Sequence, residues 1–150
     1  MNETRREHVV RTSHFELPLE PAAAFGFFTP EGERAWAKGW DPRYVHPADG
    51  ALREGMVFIT GHGGEETVWM VLRHEPAAAR VDYLRMTPGS RIGIVRVRCD
   101  PAPAGSRVTV TYELTALTES GGELLRALDA AAYEAFIGTW AASIREAITT

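Results

Sequence analysis

Between residues 44 and 116 the chain is cut into segments of alternating polarity, joined by turns too short to carry a crossover. The segments fall at about 44–47, 52–60, 65–74, 79–87, 91–99 and 107–116. Asp49-Gly50, Gly61-His62-Gly63-Gly64, Glu75-Pro76, Pro88-Gly89-Ser90 and Pro101 to Gly105 mark the breaks with turn chemistry. Parallel neighbours need a connection of about a dozen residues, so these strands pair as antiparallel hairpins. The last segment shows the pattern most cleanly. Val108, Val110, Tyr112, Leu114 and Ala116 alternate with Thr109, Thr111, Glu113 and Thr115, which predicts one buried and one wet face.

Helical text flanks this meander. Val9, Phe15 and Leu17 share a parity and predict a first strand, closed by Pro18 and Pro21. Pro21 then suits the first position of a short helix over Ala22–Phe28, where no amide is needed. Thr29-Pro30-Glu31 starts a second, with Glu31 and Glu33 at its positive end, running through Trp36 to Gly39. Ser120-Gly121-Gly122-Glu123 fits a capping box, and a helix from about Glu123 to Ala147 follows. Leu124, Leu128, Ala131, Ala135, Trp140 and Ile144 recur at helical spacing, with Leu125, Ala132 and Phe136 beside them. At 1.5 Å per residue this helix is on the order of 37 Å long and must bury its stripe against the strands. The prediction is an α+β fold.

Composition narrows the function classes. No linker or repeat divides the chain, so residues 1–150 read as one domain. The net charge is −4, from 16 basic and 20 acidic residues without a basic block, which argues against nucleic acid. The stretch Met1–Val10 is polar and has no apolar signal core. No apolar run approaches the roughly 18 residues that span a bilayer, so the expectation is a cytoplasmic protein without membrane insertion. Cys99 stands alone and reads as a small buried hydrophobe. His8, His14, His46, His62 and His74 form no metal spacing, and there is no nucleophile elbow, dinucleotide fingerprint or Cys-x-x-Cys pair. Neither a metal nor a cofactor is expected. A homodimer is compatible with the chain, but no interface is legible in it.

The element order and the local text resemble a known superfamily. Phe15-Glu16-Leu17-Pro18 followed by Pro21 and Phe25, then Phe28-Thr29-Pro30-Glu31-Gly32-Glu33, Trp36 and Gly39-Trp40-Asp41-Pro42 resemble the opening strand and paired helices of the Bet v 1-like, START-related (SRPBCC) proteins. Thr67-Val68-Trp69, Thr111-Tyr112 to Thr115-Ala116-Leu117 and Tyr133 to Trp140 resemble its later strands and closing helix. The resemblance implies a helix-grip fold, in which a curved antiparallel sheet wraps a long C-terminal helix around a cavity for a small hydrophobic or aromatic ligand. It also leaves open a polyketide cyclase/dehydratase-like or hydrolytic enzyme using that cavity. A third reading is an interaction module like the activator of Hsp90 ATPase. Fold alone does not choose between them.

Rings are the strongest site candidates. Phe58, Trp69, Tyr83, Tyr112, Tyr133, Phe136 and Trp140 lie on elements that should converge, and their apolar bodies and polar handles suit a pocket wall. Trp36 and Trp40, beside the Gly39 turn, read as structural. Asp82, Arg85, Arg96, Arg98 and Glu113 read as solvent-facing, although Arg85 shares the parity of Tyr83 and would follow it inward. His62, in a hairpin turn, is placed at the pocket rim. Glu31, Glu33, Glu65 and Glu66 read as helix-start and turn residues. No catalytic residue is assigned.

Overall fold

Alternation along β7 (Gly105–Ala116) is the seed of the architecture seen in the computed structural model, which describes residues 6–149. Residues 1–5 of the polar N-terminal stretch lie outside the described part. Val108, Val110, Tyr112, Leu114 and Ala116 are all buried, and the intervening threonines and Glu113 are not. On either side of β7 lie β1 (His8–Leu17) and β6 (Arg91–Ala102). The sheet continues through β5 (Arg80–Thr87), β4 (Glu65–Glu75), β3 (Val57–His62) and β2 (Arg43–His46). All pairings are antiparallel, in the order β1-β7-β6-β5-β4-β3-β2. A bulge between Val71 and Arg73 adds to the curvature of the sheet at β4.

The expected strand over 52–60 begins later, at Val57. Gly55, at φ +86°, and a Met56 N–H bond to the Arg53 carbonyl (3.1 Å) form a turn there instead. β6 extends through Pro101 to Ala102, leaving a two-residue turn before Gly105. The hairpin between β3 and β4 is also a two-residue turn, Gly63-Gly64, at φ +58° and +84°, which matches the twist of the flanking strands.

The first helix is shorter than expected. α1 covers Pro21–Phe25, and single 3₁₀ turns follow at Gly26–Phe28 and Gly32–Ala35. Gly32 is required where it stands, because a Cβ there would lie 1.7 Å from the Gly26 carbonyl oxygen. Its N–H donates to Thr29 Oγ1 at 2.9 Å, which locks the second turn over the first.

The expected continuous C-terminal helix is two helices, α2 (Glu119–Ala127) and α3 (Ala130–Thr149). Thr118, not Ser120, is the N-cap, and its hydroxyl accepts from Gly121 N–H at 3.1 Å while donating to the Gly89 carbonyl at 2.8 Å. Gly121 packs on the β5–β6 turn, where a Cβ would meet the Ser90 carbonyl oxygen at 2.0 Å. The chain breaks at Leu128, whose carbonyl accepts from Arg11 Nε at 2.9 Å, and Asp129 restarts it by accepting from Ala132 N–H at 2.8 Å. The break resets the helical phase. Tyr133, Ile137, Ala141 and Ile144 form the buried stripe, while Leu124 is exposed and Leu125 takes its place in the core. Twenty residues make α3 roughly 30 Å long. Asp129→Ala is expected to cost about 1 kcal/mol by unsatisfying the first turn of α3. For a chain of this size that lowers the melting temperature by roughly 2–4 °C, measurable by thermal circular dichroism.

Candidate functional site

Register decides which side chains look inward. Phe58 faces Trp69, Trp69 faces Arg85, Tyr83 faces Val95, and Val95 faces Tyr112 across successive strands. Tyr83 is therefore inside and Leu84 and Met86 are not, and Arg85 follows Tyr83 as its parity requires. Of the two readings of Arg85, solvent-facing or following Tyr83 inward as a polar pocket residue, the register gives the second. Asp82 is also buried, on the opposite face, beneath Arg73 at 3.9 Å and Arg80 at 3.8 Å. Arg96 and Glu113 do pair on the wet face, at 3.2 Å.

Between this inner face, α3 and the two 3₁₀ turns lies a cavity of about 270 Å³. Trp69, Tyr83 and Tyr112 form its sheet side, Phe136 and Trp140 its helix side, and Phe28, Trp36 and Trp40 its end wall. Most of these rings meet edge-to-face, with Trp40 on Trp69 at 5.6 Å, Trp69 on Tyr83 at 6.0 Å and Tyr112 on Phe136 at 5.8 Å, while Phe28 stacks on Trp140 at 6.3 Å. Such contacts hold an apolar wall in fixed geometry. Phe136, 39% exposed, stands at the mouth, and exposed His62 lies among the cavity-lining residues at its rim.

Two predicted lining residues are not on the wall. Phe58 is fully buried behind Trp69, with the rings stacked at 5.9 Å. Tyr133 spends its hydroxyl on the Val110 carbonyl at 2.7 Å and packs between α3 and β7. Conversely, Trp36 and Trp40 are both structural and lining. Their indole N–H groups donate to the Phe27 and Pro30 carbonyls, each at 2.8 Å, which fixes the ring faces toward the cavity.

Polar groups on the wall divide into satisfied and unsatisfied. Trp69 Nε1 donates to Thr60 Oγ1 at 2.9 Å, and Tyr83 donates to the Phe28 carbonyl at 2.7 Å. Burial, and then the charge of Glu33, push the Tyr83 hydroxyl well above its usual range. Arg85 donates to Thr87 Oγ1 at 2.8 Å and Thr67 Oγ1 at 3.3 Å, and its guanidinium carbon lies 5.5 Å from the Trp69 ring centroid. Its Nε is buried without a partner. Desolvation lowers its affinity for the proton. The Tyr112 hydroxyl lines the cavity with no partner among the described residues, raised by burial and partly relieved by Arg85.

Glu33 is the group that sequence reasoning missed. Glu31, two residues earlier, is an exposed surface acid held low by the hydroxyl of Tyr44 and by Arg34 at 3.0 Å. Glu33 instead lies on the cavity wall, where desolvation pushes its carboxyl up to about 8. The 3₁₀ turn, tighter than the expected α-helix, places Glu33 on this wall. Cys99 is buried and its thiol is pushed up to about 12, as suits an inert core residue. Among the described residues no cluster of His, Cys, Asp or Glu could hold a metal, and no helix is long and apolar enough to cross a membrane.

The architecture is the helix-grip fold, as found in Bet v 1-like proteins. Norcoclaurine synthase from Thalictrum flavum superimposes with a TM-score of 0.68, at 9% identity, over 96% of this chain and 88% of its own. The same enzyme has been solved in complex with dopamine and hydroxybenzaldehyde. Ara h 8.0201 superimposes at 0.67, with 13% identity, over 96% and 100% of the two chains. A protein from Mesorhizobium loti does so at 0.67, with 14% identity, over 95% and 97%. At these identities the likeness is one of fold. No protein-family model matches the sequence, and no curated protein sequence matches it.

Proposed function

We propose that the protein binds a small hydrophobic or aromatic molecule in the cavity between sheet and α3. The observation that carries this reading is a ring-lined cavity whose wall retains polar groups without protein partners, Glu33 and Tyr112 among them. Apolar walls with a few convergent polar groups are the usual form of a ligand site, and about 270 Å³ lies near the lower end of the roughly 300–1,000 Å³ such sites span. The volume suits a compact ring system better than a long lipid. Dopamine and hydroxybenzaldehyde, bound by a protein of the same fold, are molecules of that kind.

All four tryptophans of the chain line this cavity, so intrinsic fluorescence reports on the site. Titration with 2-naphthol is expected to give a saturable change in Trp emission at a stoichiometry of one. A response that stays linear, or is absent, across a panel of one- and two-ring aromatics would remove the reading.

A second reading, an acid–base enzyme acting on an aromatic substrate in the same cavity, is favoured by Glu33. A carboxyl poised near 8 can both donate and accept a proton at neutral pH. Tyr112 lines the same cavity as a second proton-bearing group.

A further inference from the structure

Arg85 is the group in this cavity whose chemistry is least explained by the protein itself. An arginine carried to the inner face of a sheet ordinarily brings a carboxylate with it, because its charge cannot be shed and costs free energy out of water. Here its visible partners are two neutral hydroxyls, Thr67 and Thr87, and one face of Trp69. Those two hydroxyls also bond to each other at 2.7 Å, so much of their capacity is already used. Gly93, opposite Arg85 on β6, offers it no side chain. Nε is sealed from solvent and donates to nothing.

The surrounding charges do not neutralise it. Arg91, nearby on the wall, has its own acid, Glu65, at 3.5 Å, and a second bond to Ser90 Oγ at 2.8 Å. Glu65 is thereby committed to Arg91 at the rim. Glu33 makes no ion pair with Arg85, and burial favours its protonated form near neutral pH. Lys38 is an exposed rim residue whose charge is in solvent. The cavity therefore keeps one uncompensated positive charge, beside a Tyr112 hydroxyl that also lacks a partner.

We propose that the ligand is a monoanionic aromatic acid, whose carboxylate pairs with Arg85 and accepts from the Tyr112 hydroxyl while its ring lies among Trp69, Phe136 and Trp140. This deepens the binding reading above and rests on it. One net charge in an apolar wall of this size matches a carboxylate. A phosphate dianion would need a second free cation, and Arg91 is already engaged by Glu65. Guanidinium and carboxylate also match in planar geometry, and Arg85 is anchored on the sheet and held by two threonine hydroxyls.

The test compares 2-naphthoate with 2-naphthamide, which has nearly the same shape and no charge, by calorimetric titration at pH 7. The unmodified protein is expected to prefer the acid by at least about tenfold, the range of a charge-assisted hydrogen bond. Arg85→Gln is expected to reduce that preference to within about twofold, and Arg85→Lys to keep part of it. The acid–amide ratio in the unmodified protein needs no variant to fold. Equal affinity for the two probes overturns the carboxylate assignment and leaves the aromatic cavity standing. No saturable binding of either probe overturns both. A preference for the acid that persists in a folded Arg85→Gln variant moves the anion recognition away from Arg85 and overturns the assignment.

Discussion

Phe28→Ala is expected to destabilise the protein by about 3–5 kcal/mol and to widen the cavity at the same time. Phe28 is 1% exposed, and its ring is held by Phe15 at 6.5 Å, Trp36 at 6.0 Å and Trp140 at 6.3 Å. It is thus the partition between the solid core under β1 and the cavity. Its backbone carbonyl also receives the Tyr83 hydroxyl at 2.7 Å, so a shift of the 3₁₀ turn would unpair a buried donor as well. A loss of that size lowers the melting temperature by on the order of 10 °C for a chain of 150 residues. Phe28→Leu keeps most of the volume and should cost less than about 1.5 kcal/mol. The variant also separates two views of the end wall. If Phe28 only fills space, a ligand larger than naphthol should bind the alanine variant better than the parent protein. If instead the wall collapses, melting falls and no new ligand gains affinity. A loss below about 1 kcal/mol would show that the ring does not partition core from cavity.

What was legible in the sequence, and what was not, follows from the range of the forces involved. Alternation along 107–116 is local, and it placed Tyr112 on the inner face without any tertiary information. The same logic tied Arg85 to Tyr83, and the structure keeps them together. Readings that depended on where a turn starts fared less well. Thr118 displaced Ser120 as the cap because its hydroxyl also reaches the Gly89 carbonyl, a partner 29 residues away that no local pattern shows. Asp129 split the C-terminal helix, and the phase of the apolar stripe changed with it, so Leu125 is buried where Leu124 was expected. For the site, ring identity was readable but depth was not. Phe58 and Trp69 face each other across two strands, yet only Trp69 reaches the cavity, because the Trp ring stacks over Phe58. Tyr133 found a backbone carbonyl for its hydroxyl and so has no need of a ligand. Glu33 was hidden because acids at a helix start are usually solvated, and a 3₁₀ turn placed this one against the wall. Proline at 30 followed by Gly32, with Gly32 forced against Gly26, was the available hint that the turn would be too tight for an α-helix.

Glu33→Gln is expected to stabilise the protein in a pH-dependent way. The ordinary carboxyl value is 4.5, and in the folded protein burial raises that of Glu33 to about 8. Below 4.5 both folded and unfolded chains hold the proton, and the substitution should be close to neutral. Between 4.5 and about 8 the folded chain keeps the proton and the unfolded chain has released it, so unfolding liberates a proton and stability falls as pH rises. Above about 8 the folded carboxyl ionises too and the full penalty is present. The side chain is only partly buried, so solvent entering by the mouth screens part of the ionised form. Allowing for that, the penalty is on the order of 2 kcal/mol, a melting difference of roughly 4–8 °C between variant and parent. The amide is close in shape and never ionises, so it isolates the titration from packing. Melting curves of both proteins should coincide near pH 4 and separate progressively to pH 9. A difference that stays constant with pH would mean that the carboxyl is solvated at the rim. Ligand binding should carry the same signature. A protonated Glu33 can donate to a carbonyl or hydroxyl oxygen at the ring's far end. Affinity for a 6-hydroxy-2-naphthoate probe should therefore fall as pH rises through about 8 in the parent protein, and stay level there in Glu33→Gln.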